Sequence, residues 1–171
     1  MSQKALLIPS LLAGLAMFFG IAALAGELPK EGTYSAAYAG YGTCQITAVG
    51  KERLLSVCDE NALMTTDGFL DHTTWHCWAF ADFVKGMGAP HGTCVGTDPA
   101  GDQIVGDFLH EMHTIDDKSP RASFKFTGGT GKYDGITGGW TYVNDYNAFR
   151  TAVPGTYASH VVKFQGSYKL P

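Results

Sequence analysis

The chain has 171 residues, with 12 Lys and Arg against 16 Asp and Glu, a formal charge of −4, and 45% hydrophobic residues. An acidic balance without any basic run excludes a polyanion-binding surface, so nucleic acid and anionic lipid are not expected as partners. Four cysteines are present and there is no Asn-x-Ser/Thr acceptor.

The first 25 residues stand apart. Met1 to Lys4 is a short, positively charged start, residues 5–25 are apolar, and Ala23-Leu24-Ala25 forms an A-x-A cleavage signature before Gly26. This reads as a secretory signal peptide cleaved after Ala25, which leaves no stable membrane anchor and sends the chain to the periplasm or outside the cell. An uncleaved anchor is the competing reading, because the run is long enough to span a bilayer. Pro9 and Ser10 interrupt it and favour cleavage. Removing 25 of the 171 residues leaves 146, the length of one domain (26–171) with a sizeable core, and a formal balance of 11 minus 16, about −5.

From Thr33 onward the chain reads as an all-β protein. Short runs rich in Tyr, Val, Ile, Thr, Phe and Trp are separated by turn residues, and no stretch has a helical period. Eight strands are predicted, at 33–49, 53–66, 69–84, 92–97, 103–114, 121–127, 139–149 and 156–169. Between them lie Gly50-Lys51-Glu52, Asp67-Gly68, Lys85-Gly86-Met87-Gly88, Asp98-Pro99-Ala100-Gly101, the segment 116–120, a glycine-rich corner at 127–140, and Val153-Pro154-Gly155. Eight antiparallel strands on short connections predict an up-and-down barrel or a sandwich. Closure removes sheet edges and favours the barrel.

Cys44, Cys58, Cys77 and Cys94 in an exported chain predict disulfides. The midpoint of Cys44 and Cys58 falls on Lys51, that of Cys58 and Cys77 on Asp67-Gly68, and that of Cys77 and Cys94 on Lys85-Gly86. All three midpoints are turn sequences, so the four sulfurs are expected at one level on one face of successive strands. Only neighbouring strands bring α-carbons within bridging distance. Pairing Cys44 with Cys58 and Cys77 with Cys94 uses all four, whereas pairing Cys58 with Cys77 strands the others.

The cysteine side is the expected inner face, because Trp75, Cys77, Ala79, Ala81 and Phe83 form an unbroken apolar series. On the same hairpin arithmetic Glu60 opposes Trp75, and the 98–101 turn brings Asp107, Leu109, Glu111 and His113 to that side. In the last strand His160, Val162, Phe164, Gly166 and Tyr168 share a face, which makes His160 the expected inward histidine. A few acids and imidazoles among apolar walls suit a ligand cavity, where Glu60, Glu111, His76 or His160 would have perturbed proton affinity. Trp75, Trp140 and Tyr142 are the aromatic candidates for its lining; core packing is the ordinary role of such residues.

Other chemistries are excluded. Gly131-Lys132 is followed by Tyr133 and a strand, whereas a phosphate loop needs Ser or Thr and then a helix. His72 and His76 on a strand stand roughly 13 Å apart at ~3.3 Å per residue, too far to share one metal ion. His110 and His113 differ by an odd number and point to opposite faces of a regular strand. No CxxC pair is present for zinc, so no metal is expected, and convergence of ligands from different strands is the weaker reading. No serine sits in a nucleophile elbow.

The glycine corner carries a further signal. Phe126-Thr127-Gly128-Gly129-Thr130-Gly131-Lys132-Tyr133-Asp134-Gly135-Ile136-Thr137-Gly138 resembles the G-G-T-G-K-[FY]-x-x-[AI]-x-G signature of the allene oxide cyclase and dirigent barrels, and Gly155-Thr156-Tyr157 resembles their late G-x-Y. The resemblance implies a small eight-stranded barrel with an apolar cavity, often an oligomer, which promotes cyclisation or coupling without a cofactor by holding a reactive conformer. It supplies no catalytic residue for this chain. Two functions follow as expectations: an exported barrel that binds an apolar small molecule, with or without cyclase or isomerase activity, and a non-catalytic, disulfide-stapled envelope or interaction protein that forms homo-oligomers.

Overall fold

The structure, a computed structural model, describes residues 28–146 and 155–171, and of Val162 the backbone only. The expected signal peptide, its cleavage site, the end of the predicted 139–149 strand and most of the Val153-Pro154-Gly155 turn lie outside these residues. Among the described residues ten strands form one antiparallel sheet: β1 (Glu31–Val49), β2 (Arg53–Thr66), β3 (Thr73–Val84), β4 (Met87–Gly88), β5 (His91–Thr97), β6 (Gln103–His110), β7 (His113–Thr114), β8 (Arg121–Gly129), β9 (Thr137–Val143) and β10 (Thr156–Lys169). No helix among the described residues is long and apolar enough to cross a membrane.

The pairing order is β2-β1-β10-β9-β8-β6-β5-β3, with β4 and β7 appended beyond β3, and β2 also pairs with β3. Each of the eight longer strands therefore has a neighbour on both sides, and the order returns to its start. Pairing on both sides leaves few open ladder edges among the described residues. Alternation along each strand buries one face, as period-2 geometry requires.

Both disulfides form as the turn midpoints predict, Cys44–Cys58 and Cys77–Cys94, each joining directly opposed residues of neighbouring strands. Two such bonds fit an oxidising compartment. The register between these two hairpins differs from expectation. Asp67-Gly68 is not a two-residue turn; the connection is the six residues 67–72, and Glu60 opposes Cys77 while Trp75 opposes Ala62. The longer loop exists because Phe69 and Leu70 fold back into the core, where Phe69 stacks on Tyr168 at 3.7 Å between ring centroids. Burying that ring outweighs a tighter turn.

A smaller difference has a larger effect between β5 and β6. The connecting turn is 98–102, one residue longer than the predicted 98–101, closed by Asp98 N–H to the Asp102 carbonyl at 3.0 Å. One residue reverses every side chain of β6. Asp107, Leu109 and Glu111 face outward, and Ile104, Gly106, Phe108 and His110 face inward. In β10 a bulge opposite Ala36–Tyr38 inverts the part of the strand before it, while Phe164, Gly166 and Tyr168 stay inward as predicted. Ser159 and Val161 are the buried residues there, and His160, opposite the exposed Ala39, turns outward.

The glycine corner closes one end of the sheet. Gly131–Tyr133 forms a single 3-10 turn, with Gly131 at φ 54° in the left-handed region, where a β-carbon would also strike the Asp102 carboxylate. Tyr133 and Ile136 are buried beneath it. The Tyr133 hydroxyl donates to Asp98 Oδ2 at 3.1 Å, and Lys132 pairs with the same carboxylate. Burial opposes ionisation of Asp98, but Lys132 and Tyr133 together hold its carboxyl below the usual range. The corner is thus tied to the β5–β6 turn by a charge-assisted contact. At this end Tyr34, Phe69, Phe126, Tyr133 and Tyr168 fill the space between the strands.

Candidate functional site

The aromatic packing stops halfway along the strands. Its upper surface is formed by Trp75, Phe124, Trp140 and Phe164, with Phe124 stacked on Trp140 at 4.0 Å and Trp140 on Phe164 at 5.2 Å. Trp75 is held in place by its indole N–H, which donates to Thr73 Oγ1 at 2.8 Å. Above this floor lies a cavity of about 560 Å³, walled by β1, β2, β3, β6, β9 and β10 and by both disulfides. This is the size of a small-molecule site. Most of the wall is apolar, including Leu54, Met64, Ala81, Phe83, Phe108 and Val161.

One carboxylate interrupts this wall. Glu60, inward-facing on β2, is only 8% exposed. A buried charge is tolerable only when its oxygens are hydrogen-bonded, and three hydroxyls meet this need. Tyr38 and Ser159 donate to Glu60 Oε1, the latter at 3.0 Å, and Tyr157 donates to the same carboxylate. Two glycines on β1 make the room. A β-carbon at Gly40 would lie 2.5 Å from Glu60 Oε1, and one at Gly42 would lie 2.7 Å from the Tyr157 ring.

Tyr142 and Tyr146 extend the polar cluster toward the mouth, where Asn144 Nδ2 donates to the Tyr146 hydroxyl at 3.1 Å. Burial, and after it the Glu60 charge, pushes the phenols of Tyr38, Tyr146 and Tyr157 far above their ordinary range; for Tyr142, Tyr146 adds to burial before Glu60 does. All four stay protonated, and Tyr38 and Tyr157 donate to Glu60. The arrangement is a carboxylate clamped by hydroxyls, with a neutral phenol, Tyr142, beside it in an apolar space.

Across the cavity, the ring of Tyr142 meets His110 edge-on at 6.3 Å, and His110 lies 5.5 Å from His113. These two histidines were expected on opposite faces. They share one because β6 ends at His110: Glu111 N–H turns away to the Arg121 carbonyl at 2.9 Å, and β7 brings His113 back to the same side. Burial, and then the neighbouring His113, pushes the His110 imidazole down to about 4.

Of the residues singled out in the sequence, Glu60, Trp75, Trp140 and Tyr142 line this cavity together. His76 does not. It lies on the outer face, 2.9 Å from Asp59 Oδ2 and with its ring tilted against the half-exposed Trp78. Glu111 is exposed and borders an outer depression that also includes Arg121 and Lys163, and His160 faces outward as described. Tyr38, Tyr157, Ser159 and His110 are the participants that the pattern of strands did not single out, whereas His113 was placed on the inner side and lines the cavity. The tyrosines had a signal, since Tyr38, Gly40 and Gly42 alternate along β1 with small residues next to a carboxylate strand. No protein-family model, curated protein or solved structure matches this chain.

Proposed function

We propose that this chain is an exported eight-stranded barrel of the allene oxide cyclase and dirigent type, whose cavity binds an apolar small molecule. The observation that carries the reading is the 560 Å³ space above a packed aromatic floor, apolar except for the hydroxyl-clamped Glu60. A packed interior would have left no such room. The return of the strand order to its start supports the barrel, and the glycine corner sits between β8 and β9 where the resemblance needs a turn. Two disulfides suit a periplasmic or secreted address.

Activity of a cofactor-free kind fits this cavity. A flexible substrate held against the aromatic floor would be restricted to a few conformers, and the neutral phenol of Tyr142 is placed to donate to an oxygen that gains charge during cyclisation or isomerisation. Native mass spectrometry of the protein purified from its own host tests the binding step. An adduct of a few hundred daltons that is lost under collisional activation is expected. A bare protein, which also fails to take up apolar compounds, overturns the reading.

The second reading, an interaction protein, is favoured by one outer surface. Val57 and Phe80 are directly opposed on β2 and β3 and are 58% and 39% exposed, beside Trp78 and Val84. That patch is the expected contact of a homo-oligomer. The same spectra decide between the two, because a bare oligomer belongs to the second reading alone.

A further inference from the structure

Two imidazoles in the cavity have polar atoms that the protein does not satisfy. His113 Nδ1 lies 2.8 Å from the Thr114 carbonyl oxygen. A carbonyl only accepts, so Nδ1 carries the proton, and in the neutral ring Nε2 keeps its lone pair. That Nε2 atom is buried without a hydrogen-bond partner, and so is Nδ1 of His110. Both residues line the cavity, and their rings are 5.5 Å apart.

Aromatic rings pack around the pair. Phe83 packs edge-on against His113, and Phe108 and Tyr142 pack against His110. His110 is further held through its backbone, whose N–H donates to the Pro90 carbonyl at 2.8 Å. The residue is buried, at 5% exposure. An orphaned polar atom in such a place costs free energy until something pairs with it. Glu60 is engaged instead with the hydroxyls of Tyr38, Tyr157 and Ser159. Among the described residues no cluster of three His, Cys, Asp or Glu side chains is arranged for a metal ion.

We infer that His110 and His113 form a subsite for the hydroxyl group of an apolar alcohol or phenol; this rests on the cavity being a small-molecule site. A hydroxyl both donates and accepts, which matches an imidazole pair in which His113 Nε2 accepts and His110 Nδ1–H donates. A ketone or ether offers no hydrogen to His113, and a hydrocarbon offers nothing to either. Burial keeps His110 neutral at ordinary pH, so a carboxylate gains no counter-charge from it. The ligand is therefore mostly hydrocarbon, with one hydroxyl at the His110–His113 side and the rest of its length over Trp140 and Phe124.

The test uses two probes of matched shape, 2-naphthol and 2-methylnaphthalene, titrated into the whole mature protein by calorimetry. The naphthol is expected to bind about tenfold more tightly, as one hydrogen bond to an otherwise unpaired buried atom provides. His113→Phe is expected to abolish that preference, and His113→Gln, which keeps an acceptor, to restore part of it. Nitrogen-15 spectra of histidine-labelled protein supply a readout that needs no variant, because naphthol alone should shift the His113 Nε2 resonance. Equal affinity for the two probes with no shift at Nε2 overturns the hydroxyl subsite and leaves the apolar cavity standing. Failure of both probes to bind overturns the subsite together with the small-molecule reading beneath it.

Discussion

Gly40 on β1 and Glu60 on β2 are packed so closely that no β-carbon fits between them: one built at position 40 lies 2.5 Å from Glu60 Oε1. It would also lie 2.8 Å from the Ser159 hydroxyl, so neither side chain has an easy retreat. Gly40→Ala is expected to push the carboxylate out of its clamp at a cost of about 1 to 3 kcal/mol, the usual range for overpacking a filled interior. Urea unfolding measures this. An alanine variant as stable as the parent would mean that Glu60 has room to move.

The clamp itself is a coupled unit. Tyr38→Phe removes one donor from a buried carboxylate and is expected to cost about 1.5 to 3 kcal/mol. Glu60→Gln alone places an amide N–H₂ among hydroxyls that were donating, and a similar loss is expected. Once the charge has gone, however, the Tyr38 hydroxyl has less to stabilise, so the double variant should lose less than the sum, with a coupling of about 1 to 3 kcal/mol. Strict additivity in the double-mutant cycle would show that Tyr38 and Glu60 act independently.

How far this site could be read from sequence depended on the turns. The three-residue connection after Val49 was recognisable, so Cys44 opposite Cys58 followed, and the Lys85-Gly86 midpoint placed Cys77 opposite Cys94. Where a turn gained one residue, as at 98–102, the prediction for β6 inverted and Glu111 took the place that belongs to His110. A period of two residues makes the inner face all-or-none in this way. The bulge in β10 and the break at Glu111 and Met112 have no compositional mark at all. They are visible only when the neighbouring strand sets the register. Trp75 was legible from the apolar alternation of its own strand, Glu60 because the register of β2 against β3 differs from the predicted one by an even number and keeps it on the same face, and Trp140 and Tyr142 as aromatics alone.

Each disulfide closes a short loop, with sequence separations of 14 and 17 residues. Chain-entropy arguments give about 3 kcal/mol for a loop of that size. Both bonds also form part of the cavity wall. Reduction is therefore expected to lower the thermal midpoint by many degrees and to weaken probe binding in the same preparation. Peptide mapping without reductant should recover Cys44 with Cys58 and Cys77 with Cys94. A Cys58–Cys77 peptide would overturn the register of β2 against β3.

The buried phenols set an alkaline limit. Tyr34, Tyr38, Tyr133, Tyr142, Tyr146 and Tyr157 are all raised above the ordinary value of 10.0, with burial the first cause in each. A folded-state value above the unfolded one means that the stabilisation is whole below pH 10 and is lost as pH rises beyond it. Absorbance near 295 nm is expected to stay flat for these six until the protein unfolds, and then to rise together with the loss of β-sheet circular dichroism. A gradual rise in the folded state, of the amplitude of several tyrosinates, would mean that the cavity admits hydroxide freely.

At the acid end His110 reverses the sign. Its unfolded value of 6.5 falls to about 4 in the folded protein, because burial and then His113 disfavour the imidazolium. Between those values the unfolded chain binds a proton that the folded chain refuses, so stability is full above pH 6.5 and declines as pH falls toward 4. At 1.36 kcal/mol per unit, the loss is on the order of 3 kcal/mol. His110→Phe, which fills the same space with a ring that cannot ionise, should flatten the stability profile between pH 4 and 6.5 and leave the protein more resistant to acid. If the parent and the variant fall in parallel across that window, the acid sensitivity belongs to other groups, and His110 is not the neutral, buried imidazole that the cavity wall requires.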